Sequence, residues 1–141
     1  MPSILTHHLF GEEFLKRYGG ILTGNPSLRH AFFMGCQGPD PFFFAALGPR
    51  PKAYLRFGQL LHGTDVTRSL DRMFRFYRAV AGEEREILFG YLVGYLCHYA
   101  LDRTAHPYVY AVQYAGCERL GLKRDKAHIH MRLETVIDSL L

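Results

Sequence analysis

The chain has 141 residues, 48% of them hydrophobic and 21% charged, a composition that excludes a disordered or low-complexity chain. Its 17 basic and 13 acidic side chains give a formal charge of +4, and the basic residues are scattered, so no nucleic-acid interface is indicated. This length and composition predict one globular domain over residues 1–141.

The N-terminal sequence "MPSILTHHLFGEEF" has no basic segment followed by a long apolar one. It is therefore not typical of a secretory signal, and we expect a cytoplasmic protein. A first helix should follow Ser3 or Thr6. It should end at Gly19-Gly20, because glycine is the usual signal at a helix C-terminus.

The next segment combines a helix start with a loop. Asn25 followed by Pro26 predicts an N-cap and the first turn of a short helix through "SLRHAFFMG". The segment "CQGPDPFFFAALGPRPK" is rich in glycine and proline. It predicts a loop with at most one helical turn, around Phe42 to Leu47.

Two helices are expected in the middle of the chain, and the second has an amphipathic pattern. The first covers Ala53 to His62, and the second runs from Thr64 or Asp65 to Ala81. Period-two alternation over a useful length is hard to find anywhere in the sequence. The pattern therefore predicts an all-α fold, a multi-helix bundle.

A central apolar helix follows, opened by Glu83 and Glu84, which suit the N-terminal end of a helix dipole. Its apolar run, Ile87 to Leu101, is too short to cross a bilayer, which takes about 20 apolar residues. No transmembrane segment is therefore expected. Gly90 and Gly94 lie four apart, a spacing that allows close approach of another helix.

Proline is expected to end this central helix. Pro107 disfavours helical geometry at His106, so a short separate helix should run through "YVYAVQYAG". The last helix covers "KRDKAHIHMRLETVIDSLL". Its pattern reaches Leu141 without a cap, which leaves a C-terminal truncation open.

The cysteines are not expected to take part in chemistry. Cys36, Cys97 and Cys117 are an odd number without paired metal-ligand spacing. Cys97 lies in the apolar run, where a buried reduced thiol is the default.

Histidines and carboxylates recur at steps of four in two of these helices. His98 and Asp102 share one face of the central helix, and His106 continues it; His130 and Glu134 repeat the step in the last helix. A buried imidazole beside a buried carboxylate is costly unless both are satisfied, and a divalent metal satisfies both. One such pair is more often a salt-bridged core histidine, but two pairs and a further histidine favour a metal site.

Other histidines are weaker candidates. His62 ends an apolar helix and is a plausible ligand from a third helix. His7 and His8 cannot be distinguished by sequence reasoning alone. His30 and His128 fit polar helix faces, where a solvated side chain is expected.

These elements together resemble the zinc-dependent phospholipase C family, whose superfamily also includes zinc-dependent single-strand nucleases. The resemblance spans almost the whole chain and rests on five ordered motifs. They are Thr6-His7, Gly38-Pro39-Asp40, a helix-ending His62, His98-x-x-x-Asp102 with His106-Pro107, and His130-x-x-x-Glu134.

The resemblance implies an all-helical fold with a cluster of two or three zinc ions in a central cleft. One zinc would be held by His62, His98 and Asp102. Asp40 would be a further ligand, or the catalytic base for the attacking water.

Two further sites are implied in the same way. The second zinc would be held by His106, His130 and Glu134. The third would use His7, Asp102 and a free N-terminal amine, which trimming of Met1 would expose at Pro2.

The implied activity is hydrolysis of phosphate esters by a metal-activated water, as in a phospholipase C-like phosphodiesterase. A phospholipid is one candidate substrate, which the sequence does not identify, and it does not determine the oligomeric state. The alternative is a non-catalytic zinc-binding helical domain with a structural or partner-binding role. An HD-type metal phosphohydrolase would need an adjacent His-Asp pair, which the chain lacks.

Overall fold

The computed structural model describes residues 4–44, 48, 51–63, 66–120 and 126–141. These residues form eight α-helices and no strand, which confirms the prediction of an all-α protein. The helices are α1 (Ile4–Tyr18), α2 (Gly20–Thr23), α3 (Pro26–Cys36), α4 (Pro41–Phe44), α5 (Pro51–Gly63), α6 (Val66–Ala79), α7 (Gly82–Leu120) and α8 (Lys126–Leu140).

The N-terminal helices follow their sequence signals. α1 begins directly after Ser3 and ends just before Gly19, as predicted. Asn25 caps α3, since its Oδ1 accepts a hydrogen bond from the backbone N–H of Ser27 at 2.9 Å, and Pro26 is the first helical residue. Of these N-terminal helices, only α2, a single turn, was not predicted.

The middle helices are confirmed with small shifts at their ends. α4 is the one helical turn expected within the loop, and residues 45–47 lie outside the described part of the chain. α5 begins at Pro51, two residues before the predicted start. α6 ends at Ala79, two residues before Ala81, and its predicted start at Thr64 or Asp65 lies outside the described residues.

The prediction that Pro107 ends the central helix was wrong. α7 is one continuous helix of 39 residues, with Pro107 in its interior. An interior proline removes a backbone hydrogen bond and costs about 3 kcal/mol. α7 packs on α3 before the proline and on α8 after it, where Val109 and Gln113 are buried. This tertiary packing offsets the local cost and keeps His106 on the helical face of His98.

Glycines allow α3 and α7 to pack closely. A Cβ atom at Gly35 of α3, or at Gly90 or Gly94 of α7, would collide with a backbone carbonyl of the other helix. The prediction of a close helix approach at Gly90 and Gly94 is therefore confirmed. The core beside this contact contains Leu15, Leu22, Leu28, Phe32, Cys36 and Cys97.

The three cysteines are all buried and unbridged, and the prediction of a buried reduced thiol at Cys97 is confirmed. A contact with Cys97, together with burial, raises the pKa of the Cys36 thiol. Cys36 and Cys97 belong to the core beside the contact of α3 and α7. None of the described helices combines the length and apolar character that a membrane span requires.

Candidate metal centre

The continuity of α7 places three candidate ligands along one face. His98 Nε2 lies 3.3 Å from Asp102 Oδ2, and His106 Nδ1 lies 4.0 Å from the same oxygen. His98 is 4% exposed, while the side chains of Asp102 and His106 are 16% and 24% exposed. Asp102 therefore lies between two histidines of its own helix.

Three other segments bring side chains to the N-terminal part of this face. His7 comes from α1, Asp40 from the turn after α3, and His62 from the end of α5. With His98 and Asp102 they form what we call the inner cluster. It contains two overlapping sets of three residues whose donor atoms lie within 4.8 Å of one another: His7, Asp40 and His98, and His62, His98 and Asp102.

The distances within the inner cluster join every member to a carboxylate. His7 Nε2 lies 3.3 Å from Asp102 Oδ1 and 3.9 Å from Asp40 Oδ2. His62 Nε2 lies 2.9 Å from Asp40 Oδ1. The rings of His7 and His98 stack at 4.3 Å between centroids. Two carboxylates are thus surrounded by three imidazoles.

Asp40 is positioned by a tight turn at Gly38. Gly38 has a φ of +54°, its N–H donates to Gly35 O at 2.7 Å, and Asp40 N–H donates to Gln37 O at 3.2 Å. A Cβ atom at Gly38 would collide with the imidazole of His98. Glycine is therefore required here both for the backbone conformation and for the space that His98 occupies.

The outer cluster consists of His106, His130 and Glu134 and joins α7 to α8. Glu134 Oε1 lies 3.4 Å from His106 Nε2 and 3.0 Å from His130 Nε2. Glu134 is 4% exposed, and the three donor atoms form a further set within 4.8 Å. The pair His130 and Glu134, predicted from its four-residue spacing in the last helix, is thus joined by His106 of α7.

Three of the histidines are oriented by hydrogen bonds at Nδ1. His98 Nδ1 donates to Cys36 O at 3.2 Å, and His62 Nδ1 donates to Gly58 O at 3.0 Å, since a carbonyl oxygen only accepts. His130 Nδ1 lies 3.0 Å from Gln113 Oε1. In the neutral imidazole each Nε2 then carries a lone pair that faces a carboxylate oxygen. Two acceptors face each other unless a proton or a cation lies between them.

The structure distinguishes His7 from His8, which the sequence analysis could not. His7 is 2% exposed and belongs to the inner cluster. The His8 side chain is 43% exposed and lies 3.7 Å from Glu12 on the surface of α1. His30 is exposed, as predicted, and the side chain of His128 lies outside the described part of the chain.

Electrostatics keep the carboxylates of Asp102 and Glu134 ionised. Burial alone would raise the pKa of Asp102 and of Glu134. It is outweighed by His7 beside Asp102 and by His106 beside Glu134, so the pKa of each carboxyl lies below its ordinary value. Negative charge is therefore retained in both clusters.

The histidines divide into two groups. Burial lowers the pKa of His98 and of His130. Burial also acts to lower the pKa of His62, but contact with Asp40 outweighs burial and raises it. Contact with Glu134 raises the pKa of His106. His62 and His106 therefore have a pKa above the ordinary value for histidine. One histidine in each cluster can thus carry the proton that offsets the carboxylate charge when no cation is bound.

Buried polar atoms in the inner cluster support occupation by a cation. Among the described residues, neither oxygen of Asp40 nor Nδ1 of His7 has a hydrogen-bond partner of acceptable geometry. A cavity of about 50 Å³ lies between the clusters and is lined by His7, Asp102, His106 and Glu134. It is large enough for a single ion or water molecule. Imidazole and carboxylate donors are those that zinc takes in proteins, so the residues fit that ion.

A larger cavity opens beside both clusters. Its volume is about 390 Å³, and His62, His98, Asp102 and His106 line it. Asp40 is 1% exposed and lies beneath this lining, in contact with His62. The cavity gives a small molecule direct access to members of both clusters.

Sequence reasoning missed two residues that position the candidate ligands. Gln113, seven residues after His106, is 5% exposed and orients His130. Asp138 accepts hydrogen bonds from the N–H groups of Leu5 and Thr6 and from Thr6 Oγ1, which joins α1 to α8. Spacing would have found both, because a step of seven places Gln113 on the helix face of His106, and Asp138 continues the four-residue step of the last helix.

All eight predicted site residues therefore lie in the two clusters. They are His7, Asp40, His62, His98, Asp102, His106, His130 and Glu134. Comparison with protein-family models, curated proteins and solved structures found no match for this chain.

Proposed function

We propose that this protein is a zinc-dependent hydrolase of phosphate esters, and more specifically a phospholipase C-like phosphodiesterase. The proposal depends on one observation: histidines fixed through Nδ1 direct Nε2 at a buried and a half-buried carboxylate beside an open cavity. A structural salt bridge would need no such cavity, and a structural zinc site is normally closed by four protein ligands. The open access favours a catalytic role.

The chain offers ligands for two or three ions. The set His62, His98 and Asp102 would hold one, with Asp40 as a further ligand, and the outer cluster would hold another. The 50 Å³ cavity beside His7 and Asp102 supports the third position. When bound, zinc supplies Lewis acidity, which neutralises charge on a phosphate ester and lowers the pKa of water.

The two roles considered for Asp40 are not equally supported. Asp40 lies beneath His62 and is 1% exposed, so a water molecule in the larger cavity has no direct contact with its carboxylate. It holds His62 Nε2 at 2.9 Å. These contacts favour a role as ligand and as positioning residue for His62 over that of a base.

The proposal is tested with zinc-loaded, untagged protein and bis-p-nitrophenyl phosphate. We expect hydrolysis that is lost on chelation, restored by zinc, and reduced about 10- to 100-fold in Asp40→Asn, the range typical for loss of a residue that holds a metal ligand in place. Asp71→Asn is the matched control, because Asp71 is exposed on α6 and pairs only with Arg75 among the described residues. Its activity should be unchanged.

Two results would contradict the proposal in different ways. Zinc-loaded protein that hydrolyses no phosphomonoester, phosphodiester or lipid would favour the non-catalytic zinc-binding domain. Protein that retains no zinc after exposure to the ion and removal of the excess would exclude both candidates.

A further inference from the structure

A second row of side chains lines the larger cavity beside the ligand face of α7. Tyr95, Tyr99, Arg103 and Pro107 follow one another at steps of four and all line it. Residues four apart lie on one face of a helix. Three of the four each directly follow a candidate ligand in sequence, so the row runs parallel to the ligands. A molecule held at the clusters would lie against it.

This row carries a charge at one position only. Besides the candidate ligands, the cavity is lined by proline, leucine, valine and tyrosine side chains and by Arg103. Arg103 is therefore the only charged side chain of the described lining that is not a candidate ligand. It is exposed and forms no ion pair with any described residue, so its guanidinium is available to a ligand.

The sign of that charge matters for the kind of substrate. Tyrosine rings alone would suit a cationic group such as an ammonium, through cation–π contacts. Arg103 already provides a cation between Tyr99 and Pro107, and like charges repel. Guanidinium groups instead bind phosphate oxygens with two parallel hydrogen bonds.

We propose that Arg103 binds an anionic oxygen of the substrate and so selects negatively charged phosphate esters of apolar alcohols or phenols. Esters with a cationic group are disfavoured. This inference rests on the proposed function, because it places the phosphate of the substrate beside the two clusters. It adds the class of substrate, which the clusters alone do not determine.

The test measures binding rather than turnover, with two phosphonates that cannot be hydrolysed. Phenylphosphonate carries an apolar group, whereas 2-aminoethylphosphonate carries an ammonium. Calorimetry on the zinc-loaded protein should show tighter binding of phenylphosphonate. In Arg103→Gln that affinity should fall about tenfold, the low end for a hydrogen bond to a charged group at an exposed site. Binding of 2-aminoethylphosphonate should fall less, because removal of the repulsion between Arg103 and the ammonium offsets part of the lost phosphonate contact.

Further variants separate charge from geometry. Arg103→Lys keeps the charge without the paired hydrogen bonds and should retain part of the preference. Arg103→Glu should reverse it. Arg132→Gln removes an exposed arginine of α8 that does not line the cavity and should change neither affinity. Zinc content and circular dichroism, measured for each variant, report whether the clusters and the fold are intact.

The outcomes separate this inference from the proposed function. Equal affinities in the wild type, or a ratio that Arg103→Gln leaves unchanged, would overturn the role of Arg103 even if the protein hydrolyses phosphate esters. An Arg103-dependent ratio without any hydrolysis would support the anion-binding role and contradict the hydrolase.

Discussion

The inner and outer clusters both combine imidazole and carboxylate groups but are held in different ways. In the inner cluster, His98 and His62 are oriented by backbone carbonyls, and Asp40 follows a glycine turn against the close contact of α3 and α7. In the outer cluster, His130 is oriented by the side chain of Gln113. Backbone atoms are less free to move than a side-chain amide. The inner cluster is therefore the more preorganised, and we expect it to bind its first ion more tightly.

The largest difference between the clusters should come from Asp102, because this residue contacts both. Its carboxylate lies 3.3 Å from His7 and His98 and 4.0 Å from His106. Asp102→Asn should remove zinc from both clusters, whereas Glu134→Gln should remove it from the outer cluster alone. Metal analysis by mass spectrometry on untagged protein measures the zinc per chain. Equal losses in the two variants would contradict the bridging position of Asp102.

The next effect concerns the backbone that supports the inner cluster. Gly38→Ala would place a Cβ atom against His98, and the left-handed conformation there costs about 1–2 kcal/mol for an alanine. Gly82 is a matched control, since it also has positive φ, at +62°, but open space around it. Overpacking costs a further 1–3 kcal/mol or so, so Gly38→Ala should be the more destabilising of the two.

The same pair of variants separates stability from metal binding. Gly38→Ala should lose zinc from the inner cluster and retain it in the outer one, while Gly82→Ala should retain both. Denaturant unfolding gives the free energy difference, and metal analysis gives the stoichiometry. Equal destabilisation by the two substitutions would show that the collision with His98 is relieved at little cost.

The outer cluster should be sensitive to its side-chain support. Gln113→Ala removes the group that orients His130, and loss of such a partner typically weakens metal binding 10- to 100-fold. Competition with a chromophoric chelator measures the zinc affinity. Gln59→Ala, at an exposed position of α5, is the control and should bind zinc like the wild type. Unchanged affinity in Gln113→Ala would mean that packing alone orients His130.

Much of this arrangement is contained in local sequence signals. Helical spacing alone predicts that His98, Asp102 and His106 share a face, and that His130 and Glu134 share another. Glycine and an asparagine cap predict where α1 ends and α3 begins. These effects act between residues that are close in sequence, so they can be predicted from one sequence alone.

The remainder depends on contacts between distant segments. The local rule for Pro107 predicts a break, but packing of α3 and α8 on α7 overrides it. His7 is distinguished from His8 by the face of α1 that meets α7. A signal for this did exist, because Gly11 and Leu15, which are small or apolar, follow His7 at steps of four and form a buried row with it. The row that contains Arg103 is not part of the spacing of the candidate ligands. Only the three-dimensional structure shows that this row lines the larger cavity.

The smallest expected effect is on the protonation of the outer cluster in metal-free protein. Contact with Glu134 raises the pKa of His106 above the ordinary histidine value of 6.5, against the effect of burial. Folding stability from this contact is therefore fully present below pH 6.5 and is lost as the pH rises through the raised pKa. In Glu134→Gln the pKa of His106 should fall, and this loss of stability at rising pH should diminish.

NMR titration of the His106 imidazole measures its pKa. The control is Glu118→Gln, because Glu118 is exposed on α7, the helix that carries His106. An unchanged His106 titration in Glu134→Gln would show that Asp102, rather than Glu134, holds the proton, and that the two clusters are electrostatically one site.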